Sequence, residues 1–252
     1  VLGFNYHERY FEPFLRNFPG KKLIVSESTS ALMTRGYYEM PSDHIYIRPE
    51  SWDKPFEAPE HVCSSYDNCH VPWGSTHEKT WHLVKTLPHV SGLFVWTGFD
   101  YLGEPTPYWW PSRSSFFGIV DLAGFPKDIY YMYKSEWTNE PVLHIFPHWN
   151  WKEGEPVDIW AYYNNADEVE LYLNGKSLGV RQKTDSTYHV SWRVPFTPGT
   201  LKAVSRLGGK EVLVKEIHTA GEPARLVLTP DRSVIQADGS DLSFVTIDVC
   251  DI

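Results

Sequence analysis

The sequence predicts a multidomain chain in which an α/β part is followed by all-β domains. Residues 1–139 alternate strand-like and helix-like runs, whereas residues 140–221 hold short strands separated by turn residues. A Gly-Glu-Pro break then precedes residues 222–252, which read as the truncated start of another β domain. Strands that alternate with helices are typical of a parallel sheet, and closely spaced alternating strands are typical of an antiparallel sandwich.

The first part is predicted to contain three strand–helix units. The strands are apolar runs too short for buried helices, at residues 1–6, 22–28 and 89–99. The helices carry apolar residues at helical spacing, at residues 7–18, 75–87 and 128–137. Ser75 is the predicted N-cap of the second helix, because Glu78 follows three positions later as in a capping box.

Long connections follow the second and third strands, at residues 29–72 and 100–127. In a (β/α)8 TIM barrel, the loops after the strands form the active-site face. Three units are too few to close such a barrel, so the remaining units are expected upstream. The chain also starts without Met and stops inside a strand-like run, and we therefore expect a piece of a longer polypeptide.

The second part is predicted to form a small Ig-like antiparallel β-sandwich. Asn-Gly at 174–175 and Gly-Gly at 208–209 are hairpin signals, because Asn and Gly tolerate positive φ. Between polar neighbours, three alternating apolar residues are expected to face the core: Val169, Leu171 and Leu173.

Composition limits the partners of the chain. A net charge of −9 argues against nucleic acid and against an anionic membrane, and no apolar stretch is long enough to span a bilayer. The histidines lack metal-binding spacing, so neither a metal nor a cofactor is expected. Cys63 and Cys69 could close a small disulfide loop or remain buried thiols, and Cys250 is left over.

Aromatic residues make up 15% of the chain, and 11 of them are Trp. All but two of the tryptophans precede residue 155. Sugars present flat apolar faces beside their hydroxyl groups, and Trp rings suit those faces, although Trp also fills protein cores. The enrichment favours a carbohydrate site in the first part.

Glu27 is the first candidate for chemistry. It stands where the apolar strand at 22–28 ends, between two serines. In a barrel that end of a strand lies on the active-site face, where a carboxylate is often functional. A capping or Arg-paired glutamate is the alternative interpretation.

Trp96, Asp100 and Glu104 follow the third strand in the segment GLFVWTGFDYLGEP. Trp96 is expected beside Glu27 on the same rim. An aromatic wall with several carboxylates suits a monosaccharide, because the ring stacks on the sugar and the carboxylates bind its hydroxyls. Core filling by Trp96 and a loop-structuring role for Asp100 are the alternatives.

Three segments resemble bacterial β-galactosidases of glycoside hydrolase family 2. They are KKLIVSES, the stretch from SGLFVWTGFDYLGEPTPYWW to DIYYMYKSEW, and VELYLNGKSLG. The resemblance covers essentially the whole chain. It implies the last three βα units of the catalytic TIM barrel, then an Ig-like domain and the start of a further one. It also implies retaining hydrolysis of terminal β-D-galactosides through a covalent glycosyl-enzyme intermediate.

The resemblance implies roles for particular residues. Glu27 matches the catalytic nucleophile, and Tyr6 matches a tyrosine that hydrogen-bonds it. Trp96 matches the aromatic platform, and Glu104 matches a carboxylate that grips sugar hydroxyls. The predicted substrate-binding residues are Trp96, Glu104, Asp100, Asp67, Asn68 and Trp73, with a turn or capping role as the alternative for Asp67.

The acid/base glutamate of the family belongs to an earlier strand, typically in an Asn-Glu pair, and no such strand precedes Glu27. The chain alone is therefore expected to be inactive and to need the missing N-terminal part of the same polypeptide. Open barrel edges also favour association into a homo-oligomer. The compartment stays open, with a periplasmic or secreted location favoured over the cytoplasm.

Two other functions remain open. A β-glucuronidase or β-mannosidase of the same family is the first, although no basic or Asn-Lys pair for a uronate is evident and Glu104 favours a neutral sugar. A non-catalytic carbohydrate-binding module is the second. It would carry exposed aromatic residues on the sandwich, whereas the tryptophans concentrate in the α/β part.

Overall fold

The computed structural model describes residues 1–51, 53–54 and 56–252. The described strands of the first part are β1 Leu2–Asn5, β2 Leu23–Thr29, β3 Tyr46–Ile47, β4 Cys69–His70 and β5 Val90–Trp96. The helices are α1 Phe14–Asn17, α2 His77–Thr86 and α3 Asp128–Trp137. The three predicted strands and the last two predicted helices are confirmed. The helix at 128–137 has its predicted bounds, and the other four elements have slightly different ends.

Strands β1, β2 and β5 form a parallel sheet in the order β1-β2-β5. Helices cover one face of this sheet. Leu23 and Val25 of β2 are fully buried there and belong to the same core cluster as Val84 of α2. Parallel pairing of consecutive strands through crossovers agrees with the alternation of strands and helices in the sequence.

The continuous helix predicted at 7–18 is wrong. Glu8–Tyr10 form a single 3-10 turn, and the only α-helical turn is Phe14–Asn17. Pro13 lies between them, and proline has no N–H for the helical ladder while its ring obstructs the preceding turn. Phe11 is nevertheless fully buried, so the apolar spacing reflects burial rather than a continuous helix. Among the described residues, no helix is long and apolar enough to cross a bilayer.

The second part is made of two antiparallel sheets packed face to face. Its strands are β6 Leu143–Phe146, β7 Pro156–Tyr163, β8 Glu168–Leu173, β9 Lys176–Arg181, β10 His189–Pro195, β11 Thr200–Leu207 and β12 Lys210–His218. The strand orders are β10-β7-β6 and β12-β11-β8-β9. Val169 and Leu171 are buried between the sheets and Leu173 packs against them, as predicted. The predicted hairpin turns at 174–175 and 208–209 adopt positive φ.

Strand β7 joins the two parts because both of its faces are buried. Ile159 and Ala161 lie in the core of the sandwich, whereas Trp160 and Tyr162 pack in a second cluster with Met132 of α3. Successive side chains of a strand point to opposite faces, so one strand can serve both cores. The sandwich is thereby docked on the α/β part through a continuous apolar contact.

The last two strands, β13 Arg225–Pro230 and β14 Val245–Cys250, form an antiparallel hairpin. Apolar side chains such as Leu228 and Ile247 are exposed on it. A hairpin of two strands has too little neighbouring structure to bury an apolar face.

Candidate active site

Glu27 lies at one edge of the parallel sheet, where the ends of β1, β2 and β5 meet. Asn5 of β1 lies opposite Glu27, and Thr29 of β2 lies opposite Trp96 of β5. The amide N–H of Tyr6 donates to the carbonyl oxygen of Glu27 at 2.7 Å. The half-buried Glu27 therefore lies between the chain that leaves β1 and the chain that leaves β5.

The Tyr6 side chain is 9% exposed, and its hydroxyl lies 2.6 Å from the Oγ of Ser30. Burial raises the pKa of Tyr6, and the nearby Glu27 carboxylate raises it further. The phenol therefore stays protonated at neutral pH and has a proton to donate. A protonated phenol beside a carboxylate suits a hydrogen bond that stabilises an ionised nucleophile.

Strained backbone collects at this edge of the sheet. Tyr6, Thr29, Ser30 and Glu104 all have φ between +43° and +69°. For residues other than Gly, such conformations cost on the order of 1–3 kcal/mol each and persist where the surrounding structure enforces them. They cluster at ligand-binding and catalytic sites, and the four residues here support a functional role for the edge.

Tyr101 connects Trp96 with Glu104, although the sequence patterns did not single it out. The rings of Trp96 and Tyr101 meet edge to face, with centroids 5.9 Å apart, and the Tyr101 hydroxyl donates to the Glu104 carboxylate. Burial raises the pKa of Tyr101, and the carboxylates of Glu104 and Glu27 raise it further. Its position inside the segment that carries the predicted platform and carboxylate was the available signal.

The loop before α2 closes on the end of β2 and carries Trp73. The N–H of Ser75 donates to the carbonyl of Thr29 at 2.7 Å. A Cβ on Gly74 would lie 2.3 Å from the same carbonyl oxygen, so only glycine fits this close approach. The Trp73 indole interacts with the phenol of Tyr6. Trp73 therefore lies at the same edge as Glu27.

Asp100 has contacts that organise its loop. Its carboxylate lies 2.7 Å from the Nζ of Lys127, and it also accepts the N–H of Gly118 at 2.8 Å. Burial raises the pKa of Asp100 and lowers the pKa of Lys127, while the pairing of the two opposes both shifts. These contacts correspond to the loop-structuring alternative, and sugar binding by Asp100 stays a prediction.

Asp67 holds the start of α2. It is 6% exposed, and its carboxylate accepts the N–H groups of His77 and Glu78, each at 2.8 Å. Thr76 is the N-cap residue, and the prediction of Ser75 in that position was wrong because the Oγ1 of Thr76 accepts the N–H of Lys79 in the first turn. Asp67 thus has the contacts of the capping alternative, and its role in sugar binding stays a prediction.

The segment around Asn68 is buried. Asn68 has no exposed surface, and its Nδ2 donates to the carbonyl of Ser42 at 3.4 Å. Cys63 and Cys69 are both buried free thiols, and burial raises the pKa of Cys63. Within the described ranges, no group of three or more His, Cys, Asp or Glu is arranged to hold a metal ion. Sugar binding by Asn68 also stays a prediction.

Two relatives match nearly the whole chain. The β-galactosidase BoGH2A of Bacteroides ovatus is 61% identical over 251 residues, which cover 100% of this chain and 30% of that protein. A β-glucuronidase of Formosa agariphila is 32% identical over 250 residues, 95% of this chain and 24% of that protein. Residues 154–213 match a family described as a domain of unknown function, DUF4982.

Solved structures agree with these relatives. A β-glycosidase from Bacteroides vulgatus has a TM-score of 0.86 at 31% identity and covers 99% of this chain, which spans 34% of it. A glycosyl hydrolase family 2 member from Bacteroides cellulosilyticus has a TM-score of 0.69 at 28% identity, over 100% of this chain and 30% of that one. Over its whole length the chain is similar to members of glycoside hydrolase family 2. The chain spans about a quarter to a third of the length of the proteins it matches.

Proposed function

We propose that this chain belongs to glycoside hydrolase family 2 and is the C-terminal part of a retaining exo-β-galactosidase that releases terminal β-D-galactose. The observation that carries the proposal is the 61% identity, over the whole chain, to a protein named β-galactosidase. In this proposal residues 1–139 complete a catalytic TIM barrel. Residues 140–221 are an Ig-like sandwich, and residues 222–252 begin a further Ig-like domain.

The uncovered face of the parallel sheet supports the proposal that this part belongs to a TIM barrel. Helices cover one face, whereas Asn5, Ser26 and Phe94 are exposed on the three strands. In a closed barrel this second face points inward and is filled by side chains of the other strands. Five further βα units would be needed for eight, and upstream sequence has to supply them.

The proposed chemistry uses Glu27 as the nucleophile. Its carboxylate attacks the anomeric carbon of galactose, and the bond to the leaving group breaks as the glycosyl-enzyme forms. Water then hydrolyses this intermediate. A second carboxyl about 5–5.5 Å away protonates the leaving group in retaining enzymes, and we place that residue in the upstream part of the barrel.

The sugar ring is proposed to lie against Trp96, with Glu104 binding its hydroxyls. Tyr101 holds both groups, since it packs on the indole and donates to the carboxylate. A carboxylate at this position repels a uronate, which favours galactose over glucuronate. β-Glucuronidase activity remains the second candidate, because a β-glucuronidase is 32% identical to this chain.

A non-catalytic binding module has less support. Trp149 and Trp192 are at most 4% exposed and fill the core of the sandwich, and Trp160 is 5% exposed and packs where the sandwich meets the α/β part. Trp109 and Trp110 of the α/β part are 69% and 74% exposed. Among the described residues, the most exposed Trp side chains thus lie in the long loop after β5 and not in the sandwich.

The proposal is tested with nitrophenyl glycosides and the full-length enzyme. We expect turnover of the β-galactoside, at a kcat/KM well above those for the β-glucuronide and the β-mannoside, with β-galactose as the first product by NMR. The isolated 252-residue chain is expected to give no turnover, because a retaining mechanism needs both carboxyls. A preference for another sugar, or activity of the isolated chain, would contradict the proposal.

Replacing Tyr6 by Phe in the full-length enzyme is expected to lower kcat for nitrophenyl β-galactoside by about 10²-fold. The variant keeps the buried ring but removes the phenol proton beside Glu27, and one lost donor at a site of changing charge has effects of this order. Tyr10→Phe is the matched control, since Tyr10 is 46% exposed and its loss of a hydroxyl should not change kcat. Equal kcat values for wild type and Tyr6→Phe would remove Tyr6 from the mechanism.

A further inference from the structure

The loop that follows Glu104 holds an exposed indole on anchored backbone. Tyr108 is 3% exposed and its hydroxyl donates to the carbonyl of Val62, whereas the next residue, Trp109, is 69% exposed. The N–H of Tyr108 donates to the carbonyl of Pro105 at 2.8 Å, and the N–H of Ser112 donates to the carbonyl of Trp109 at 2.9 Å. Hydrogen-bonded turns on both sides therefore fix the backbone that carries this large apolar ring.

A hollow of about 230 Å³ lies on one side of Trp109, between it and Trp73. Pro105, Thr106 and Lys54 also line it. Two of these walls adjoin residues of the candidate site. The Trp73 indole interacts with the Tyr6 phenol, and Pro105 follows Glu104 directly in the chain.

A second hollow, of about 480 Å³, lies on the other side of Trp109. Its walls include Phe56, His61 and Trp110. The Arg113 guanidinium packs over the Trp110 ring at 4.6 Å from the centroid, which orients that ring. Trp109 thus lines both hollows and forms the ridge that they share, and the nearer hollow is also lined by Trp73 of the candidate site.

We propose that Trp109 forms a leaving-group subsite for pyranose rings, so that the preferred substrate is a β-galactoside capping an oligosaccharide rather than a small galactoside. This inference rests on the proposed galactosidase function. The nearer hollow is smaller than sites for drug-sized ligands and suits a single ring. An indole offers each pyranose a flat apolar face, while Lys54, Thr106 and His61 supply partners for hydroxyl groups.

The test compares two substrates in the full-length enzyme. Trp109→Ala is expected to lower kcat/KM for a galactose-terminated tetrasaccharide roughly tenfold, and to lower kcat/KM for nitrophenyl β-galactoside several-fold less, because its single leaving-group ring can contact only one side of the indole. Nitrophenolate departs easily, so its release depends little on binding of the leaving group. Trp109→Phe keeps an aromatic face and is expected to recover most of the activity on the tetrasaccharide.

Three results would overturn the subsite. They are an equal loss on both substrates, unchanged activity of Trp109→Ala on the tetrasaccharide, and no recovery in Trp109→Phe. The first result would indicate that the ridge supports the fold of the complete enzyme. These results are distinguishable from failure of the proposed function, which would appear as absent turnover of nitrophenyl β-galactoside by the wild-type enzyme.

Discussion

Replacing Glu27 by Gln in the full-length enzyme is expected to lower kcat for nitrophenyl β-galactoside by about 10⁴-fold or more. The amide is nearly the same size as the carboxylate but cannot form the glycosyl-enzyme bond. The parallel sheet positions this side chain at the end of β2, opposite Asn5 and adjacent to the chain that leaves β1. Folding should be preserved, because Glu27 is only half-buried.

The assignment as nucleophile is checked with Glu27→Gly and sodium azide. Azide should restore turnover by attacking from the side of the missing carboxylate, and the product should be α-galactosyl azide. A β-configured azide product would instead identify Glu27 as the acid/base residue. Glu12→Gln is the matched control, since Glu12 is exposed before α1 and its substitution should leave kcat unchanged.

Replacing Lys127 by Met is expected to destabilise the full-length enzyme by about 3–5 kcal/mol, which corresponds to a Tm lower by roughly 5 °C. The Lys127 side chain is 1% exposed, and its Nζ donates to the carbonyl of Met33 at 2.7 Å besides pairing with Asp100. Without it, the Asp100 carboxylate is left buried without a cation. The loop that carries Glu104 would loosen at the same time.

Two further variants distinguish the effect of losing the Lys127–Asp100 ion pair from a general effect of removing a lysine. Lys134→Met on α3 removes a lysine whose partner, Glu140, is exposed, and should leave Tm unchanged. Adding Asp100→Asn to Lys127→Met removes the orphaned charge and should recover part of the lost Tm. A Tm for Lys127→Met equal to that of the wild type would mean that water or another group compensates the carboxylate.

Local sequence patterns were sufficient to predict strands, helices and turns where the apolar periodicity matches the pattern of burial. Apolar runs predicted β2 and β5, and α3 was predicted with its observed bounds, Asp128–Trp137. The Asn-Gly and Gly-Gly hairpins of the sandwich were predicted because their backbone preference is a property of the residues themselves. The prediction of a continuous helix at 7–18 was wrong, because Pro13 interrupts it and the apolar spacing there reflects which residues are buried.

Side-chain partners distant in sequence could not be read from local patterns. Asp100 and Lys127 are 27 residues apart and pair only because the loop after β5 folds back before α3. Asp67 accepts N–H groups from the start of α2, ten and eleven residues later. Both aspartates stand in segments with the composition of a sugar site, so composition alone could not separate a binding residue from a structural one.

The sequence by itself determined the order of elements, the alternating core positions of the sandwich and the position of Glu27 at the end of an apolar strand. These follow from short-range periodicity and turn chemistry, which act over a few residues. Only the tertiary structure decided which groups surround Glu27. Tyr6, Trp73 and the Trp96–Tyr101 segment come from three separate parts of the chain. Parallel pairing of β1, β2 and β5 brings the first and last together, and the hydrogen bond of Ser75 to Thr29 brings in the loop of Trp73.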